Sequence, residues 1–396
     1  MAKDGSLYAY ANPSGTSYAL FKSLDAGYGW SSAGEVKDTI VGITAAPDDA
    51  NIVYYATASG VFKSSDAGTS FNPLPPGPGG AGTGNITITS IDVARINGKS
   101  LIAIGTADND SLQYGGIYTF DESKLIPDWQ NTALGSYDVS AVVFSPNYAS
   151  DRQLLAVTTN ETDTFVSARI SAGGWNQPFG KATITGRAAR TAAVAFPDNY
   201  DVSGGGYTLF VALDTGSGSG DVYKIKGRWA PENSTATDLN VGAPDNLNNV
   251  DVTGLAASGL ASDNISAGSL LAGAAGSTRV YISNDGGVNW TRSRKEPTGQ
   301  SKTYLLMAPD FASTGVAYAA TTGSDSAFSY TTDGGATWNQ SGLIDTRISS
   351  NGIIDLAVSP DYSRENSLFL LTFDSVSTRH SLWRSLSGSA KWERVF

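Results

Sequence analysis

The 396-residue sequence predicts an all-β chain folded as a β-propeller, and three observations predict it. A nine-residue pattern recurs, most clearly as "KSLDAGYGW" (22–30), "KSSDAGTSF" (63–71), "ISNDGGVNW" (282–290) and "YTTDGGATW" (330–338). Seven of the eight tryptophans stand at one position of that repeat: Trp30, Trp129, Trp175, Trp229, Trp290, Trp338 and Trp392, with Phe71 completing the series. The 362 residues from Trp30 to Trp392 contain seven intervals of about 52 residues, a period typical of propellers and solenoids.

Each repeat ends in a turn with its own physical logic. Asp25, Asp66, Asp285 and Asp333 can accept hydrogen bonds from turn N–H groups. Gly27, Gly68, Gly287 and Gly335 supply positive φ without a Cβ clash. The Ser or Thr two residues before the Asp satisfies a further turn group. The closing aromatic (Trp30, Phe71, Trp290, Trp338) starts the return strand and buries a large area between sheets.

Two apolar strands precede each turn. In "IIDLAVSPDYSRENSLFLLTF" (353–373) the first ends at a Pro-Asp-Tyr corner and the second follows. The plan repeats at 41–58, 139–159, 191–213 and 304–322, and more loosely at 88–106 and 252–275. Such near-continuous apolar strands suit positions covered on both faces. Each blade therefore reads A-B-C-D, with the Asp turn between C and D. Blades are expected at 5–36, 39–74, 86–132, 137–180, 187–240, 250–297, 302–345 and 351–396, in one domain spanning 1–396. The first lacks an inner strand: "LYAYAN" is already strand B. Eight blades with a three-stranded first one are expected, or a segment cut from a longer protein; a seven-bladed ring with a loose first hairpin is the alternative.

The motif S/T-x-D-x-G-x-x-[WF] resembles the Asp-box, or BNR repeat, of sialidases, sortilin-type receptors, xyloglucanases and many bacterial surface proteins. The match is strong at 23–30, 64–71, 283–290 and 331–338, weak at 385–392, where Ser387 replaces the Asp, and nearly lost in the other three units. The resemblance implies a propeller whose box aspartates are structural. Together with the absence of cysteine, the low charge and the Ser/Thr/Gly-rich composition, it resembles bacterial secreted, cell-surface and surface-layer proteins.

Composition excludes several functions. A net charge of −11 gives no broad attraction to nucleic acid or anionic lipid. With no cysteine there is no disulfide, thiolate nucleophile or Cys-based zinc site, and His380 alone cannot build a multi-His metal site. No run approaches the ~18 apolar residues of a membrane span. The polar start is not a signal peptide; one removed before maturation would agree with a secreted or cell-surface location.

Fold analogy places ligands on the end carrying the B–C and D–A loops. There the sequence puts Asp108, Asp110, Glu161, Asp163, Asp214, Asp221, Asp325 and Asp374, against Arg379. This acidic rim is the candidate ligand or cation site, calcium being the cation that "DND" (108–110) suggests, although the Gly and terminal Glu of a calcium loop are missing. No other cofactor is expected. The basic loop 291–302, with Arg292, Arg294, Lys295 and Lys302, is a second candidate contact, for an anionic glycan or another subunit's rim. The Pro/Gly-rich segment 73–84 reads as a spacer.

A sialidase needs an Arg-Ile-Pro start, and "RIN" (95–97) and "RIS" (169–171, 347–349) lack the proline. No Gly-rich phosphate loop stands between a strand and a helix. The leading expectation is a non-catalytic extracellular propeller that binds a glycan or protein, or takes part in surface assembly. The alternative is a glycoside hydrolase using a pair of rim carboxylates.

Overall fold

The computed structural model describes residues 1–11, 19–36, 38–203, 206–261, 268–323, 327–341, 353–360, 362–374, 379–386 and 391–395. It is nearly all β, with eight antiparallel units in chain order. Unit 1 has three strands, Leu7–Ala11, Ala19–Ser23 and Ser31–Glu35. Units 2 to 8 have four each, their innermost strands being Ile40–Ala45, Ile86–Ile96, Asp138–Phe144, Thr191–Ala195, Val252–Ser258, Ser301–Met307 and Ile353–Val358.

The second strand of most units is buried along its length, as at Val53–Thr57, Gln153–Thr159 and Thr208–Asp214, because sheets cover both of its faces. This agrees with its unbroken apolar sequence. The Pro-[Asp/Asn]-aromatic corners form single helical turns, Tyr148–Asp151, Phe311–Thr314 and Tyr362–Glu365. Tyr148 and Phe311 point inward as plugs. Unit 3 instead uses a two-residue hairpin, Asn97-Gly98, with both residues at positive φ (51° and 73°), which matches the strand twist.

The way the units pack defines the ring. Seven hydrophobic clusters occur among the described residues, one at each interface between successive units from 1–2 to 6–7, and a seventh between units 7 and 1. In that closing cluster Leu7 and Trp30 meet Tyr318 and Phe328. The ring therefore closes through seven sheets. Its first sheet is a packed member rather than a loose hairpin. Unit 8 joins edge to edge instead: its outer strand pairs with that of unit 7 at Gln340↔Arg394 and Ser341↔Glu393. Glu393, 3% exposed, fixes this seam by accepting from Tyr330 Oη (2.6 Å) and Arg384 Nε (2.7 Å).

The four C–D turns share one hydrogen-bond scheme. Ser23, Ser64, Ser283 and Thr331 donate their hydroxyls to Asp25, Asp66, Asp285 and Asp333 at 2.7–2.9 Å. The same hydroxyl oxygens accept from the N–H groups of Gly27, Gly68, Gly287 and Gly335. Each carboxylate then accepts from the N–H four residues on, at Gly29, Ser70, Asn289 or Thr337. The hydroxyl and N–H of Ser70, with Ser64, hold the exposed Asp66 carboxyl down to about 2.

The glycines are required for two reasons. Their φ lies between +85° and +95°, and the neighbouring unit presses on them: a Cβ at Gly27 would stand 2.1 Å from the Phe328 ring, and one at Gly287 2.5 Å from Leu239. The residue before each glycine is also left-handed, at 61° for Ala26 and 56° for Ala67. Ala67→Gly should relieve that strain and stabilise the protein by about 1 kcal/mol, net of the extra freedom glycine has when unfolded. Gly286→Ala, at φ 68°, should cost about as much in the opposite direction. Denaturant melts of the two variants check the sign; both shifts in one direction would refute the strain account.

Candidate functional site

Adjacent strands alternate direction, so the B–C loops open at the opposite end of each sheet from the Asp turns. The described carboxylates of the B–C end are occupied in building it. Asp108, the last residue of its strand, accepts from the Asp110 N–H (2.8 Å). Asp110 takes the Asn85 amide (2.7 Å), and Glu161 reaches from unit 4 to the Leu112 N–H of unit 3 (2.6 Å). Asp163 accepts from Gly186 N–H (2.7 Å). Asp214, with its side chain 1% exposed, pairs with Arg190 (2.9 Å) and accepts from the Gly216 N–H. Asp374 ends a strand at this end of unit 8, and Asp325 lies outside the described residues.

Two residues that the sequence reading did not single out organise this end. Asp138 begins the inner strand of unit 4 and Asp251 immediately precedes that of unit 6, and each reaches back to the preceding unit's B–C loop. Asp138 accepts from the Asp108 and Gly115 N–H groups (both 2.9 Å). Asp251 takes four donors from 215–220: the N–H and hydroxyl of Thr215 and the N–H groups of Gly218 and Gly220. Burial raises the Asp138 carboxyl, and the nearby Glu161 and Asp108 charges add to the effect. Both residues open an Asp-Val-[Ser/Thr] triplet, "DVS" and "DVT", which was the available signal. The hydroxyls of those triplets continue around the axis: Ser140 donates to Ala189 O (2.7 Å) and Thr253 to Thr303 O (3.3 Å).

Asp221 is the chemically unusual member. It is fully buried, and its Oδ1 accepts from the N–H groups of Val222 (2.7 Å) and Val241 (2.9 Å). Its Oδ2 is buried without a hydrogen-bond partner. Burial, reinforced by the Asp238 charge, pushes the carboxyl up to about 7. The D–A loops also bring arginines to this end: Arg190 on Asp214 and Arg187 on Asn249 (2.9 Å). Among the described residues no group of three or more carboxylate or imidazole side chains converges as a metal ion would require.

The basic loop and the Pro/Gly segment also make contacts within the chain, although Arg292 and Arg294 stay exposed. Arg292 binds Asp245 and Glu296. Lys295 donates to Asn339 Oδ1 (2.6 Å) and to the carbonyl of Val395 (2.8 Å), tying unit 6 to unit 8. The segment 73–84 is not a free spacer: it turns at Pro78–Gly80, where Gly79 lies under the Tyr118 ring, and Ala81 joins the core between units 2 and 3. A cavity of about 280 Å³ lies between units 5 and 6, lined by Leu239, Asn240, Ala243, Pro244, Val288, Asn289 and Trp290, none of which is a carboxylate.

No family model matches the chain, and no curated protein matches it in sequence. The fold is shared with solved structures of very different sequence. A puromycin hydrolase matches at 11% identity over 96% of this chain and 56% of its own, with a TM-score of 0.50. The dihydro-heme d1 dehydrogenase NirN, in complex with DHE, matches at 12% identity over 99% and 73%, TM-score 0.50. YCF48 from Cyanidioschyzon merolae matches at 13% identity over 76% and 85%, TM-score 0.49. At such identities the likeness extends to the β-propeller fold alone. No helix among the described residues is long and apolar enough to cross a membrane.

Proposed function

We propose that the chain is a non-catalytic Asp-box propeller, secreted or held at the cell surface, that binds a glycan or protein or takes part in a surface assembly. The observation that carries this reading is the employment of the rim carboxylates. Asp108, Asp110, Glu161, Asp163 and Asp214 all accept hydrogen bonds that hold loops in place, that of Glu161 coming from a neighbouring unit. A hydrolytic pair needs one carboxylic acid and one carboxylate facing a sugar across about 5–9.5 Å. Asp221 has the raised pKa of a general acid, but at 0% exposure it cannot reach a substrate. Rigid loops on a closed ring suit recognition, because conformational freedom already given up in folding is not given up again on binding.

The reading invokes no cofactor; calcium on the rim is tested alongside it. The purified chain should bind members of a polysaccharide and glycan panel, or a cell-wall fraction, without releasing reducing sugar, and calorimetric titration should show no heat with calcium. Release of reducing ends that disappears in an Asp138→Asn or Glu161→Gln variant would replace this reading with the glycoside hydrolase.

A further inference from the structure

Leu7–Ala11, the innermost strand of unit 1, pairs with Ala19–Ser23 on one side, and among the described residues no strand pairs with its other edge. The ring order 7-1-2 puts that open edge between the inner strands of units 7 and 2. Those two strands carry exposed apolar side chains: Tyr304 (48%) and Leu306 (36%) on one, Val41 (41%) on the other. The inner strands of units 3, 4 and 6 have no exposed residue, and that of unit 5 has only Thr191. An apolar-walled slot with a free strand edge is a template for one more strand.

Unit 8 contains a strand of the right kind. The inner strands of units 2, 3, 4, 6 and 7 share a register shift near their start, at 40/42, 88/90, 139/141, 252/254 and 301/303. Ile353–Val358 has the same shift at 353/355. Elsewhere in the ring each outer strand is followed by the inner strand of the next ring member, after as few as four residues (36–39) or as many as thirteen (239–251). After unit 7 the next ring member is unit 1, and eleven residues (342–352) lead from Ser341 to Ile353.

Among the described residues, the closing interface also shows no counterpart of a bond found at others. Trp129, Trp175 and Trp290 donate their indole N–H to a carbonyl at the end of the preceding unit's outer strand: Pro75, Thr132 and Leu239. Trp30, whose preceding ring member is unit 7, donates to its own Gly27 O (2.9 Å).

We propose that Ile353–Val358 is a latch strand that leaves unit 8 and closes the ring as the innermost strand of unit 1. By the register of unit 2, Leu356 then faces Ala9 and Asp355 faces Tyr10. The geometry allows it. The nine residues 359–367 that join the latch to the rest of unit 8 reach about 30 Å when extended. Leu368–Asp374 stands six strand spacings of about 4.8 Å from the innermost position along the joined sheet of units 7 and 8, about 29 Å, so the connection runs almost fully extended, with the helical turn Tyr362–Glu365 unwound. One strand edge is exchanged for another, so the ladder bonds lost in unit 8 are regained in unit 1, and apolar surface on units 2 and 7 is covered.

The chain has no cysteine, so engineered pairs report cleanly. Ala9→Cys/Leu356→Cys and Tyr10→Cys/Asp355→Cys test the slot, one of the two falling at the closer, non-hydrogen-bonded type of site. Leu356→Cys/Leu370→Cys tests the unit 8 pairing. Under a thiol–disulfide buffer, an intramolecular slot disulfide should form in the full chain and exceed the unit 8 disulfide. In the unaltered chain, the amides on the free inner edge of Leu7–Ala11 should be protected from hydrogen exchange like those of Val53–Thr57. Formation of the Leu356–Leu370 bond alone, with fast exchange at Leu7–Ala11, overturns the proposal. Slot disulfides found only between chains overturn it too, because the slot would then belong to a second copy.

Discussion

Trp338→Ala is expected to cost about 3–5 kcal/mol, the usual loss for a fully buried tryptophan. Trp338 is 1% exposed and lies in the cluster that joins units 6 and 7, with Leu271, Ile282, Phe311 and Ala317. Its indole N–H donates to Ser293 Oγ (3.2 Å), whose hydroxyl in turn donates to Gly335 O (2.6 Å). Removing the ring empties a close-packed interface and takes a donor from that chain. Trp229 provides the contrast. It is 48% exposed and packs on Phe179 in a tilted pair with ring centroids 5.1 Å apart, so Trp229→Ala should cost about 1 kcal/mol. Denaturant unfolding of both variants decides the matter. Equal losses would mean that the repeated tryptophan position is not what joins the units.

The second large effect is a pH dependence at Asp221. Its folded pKa, about 7, stands above the ordinary carboxylate value near 3.8. A group shifted upward binds its proton more tightly in the folded chain. Its stabilising contribution is therefore complete below about pH 4 and is lost as the pH rises through 7. Between pH 5 and pH 8 the loss attributable to this one group is about 2–3 kcal/mol. Asp221→Asn keeps an Oδ1 for the N–H groups of Val222 and Val241 and removes the titration. The variant begins from a different absolute stability, since its amide N–H₂ replaces an unpartnered oxygen; the slope is the measurement. Stability measured by chemical denaturation at pH 5, 6.5 and 8 should fall less steeply in the variant than in the parent. Parallel slopes would show that Asp221 is not the titrating group. The exposed turn residue Asp66 has the opposite sign: its lowered pKa stabilises above about pH 4 and is lost toward pH 2.

Features that arise within a few residues were legible in the sequence. Asp333, Gly335 and Thr331 lie within five positions of one another, and their hydrogen bonds are made inside one turn. The apolar second strands were readable because burial on both faces leaves no alternation of polar residues. Local reading missed Ala26 and Ala67, whose left-handed backbone is set by the turn and not by the residue. The candidate rim was legible only as a set of loops. That Asp138 closes the loop holding Asp108, thirty positions earlier, and that Asp251 closes the loop at Thr215 depend on two sheets meeting side by side.

The sequence by itself determined the sheet units, their strand order and the chemistry of their turns, because each of these rests on contacts between near neighbours in the chain. The tertiary structure alone decided how many units enter the ring, which carboxylates are buried and which loops they fasten. Repeats built on one plan present similar apolar faces. The apolar surface of unit 7 can be covered by unit 1 or by unit 8, and only the packing of Leu7 and Trp30 on Tyr318 and Phe328 selects unit 1.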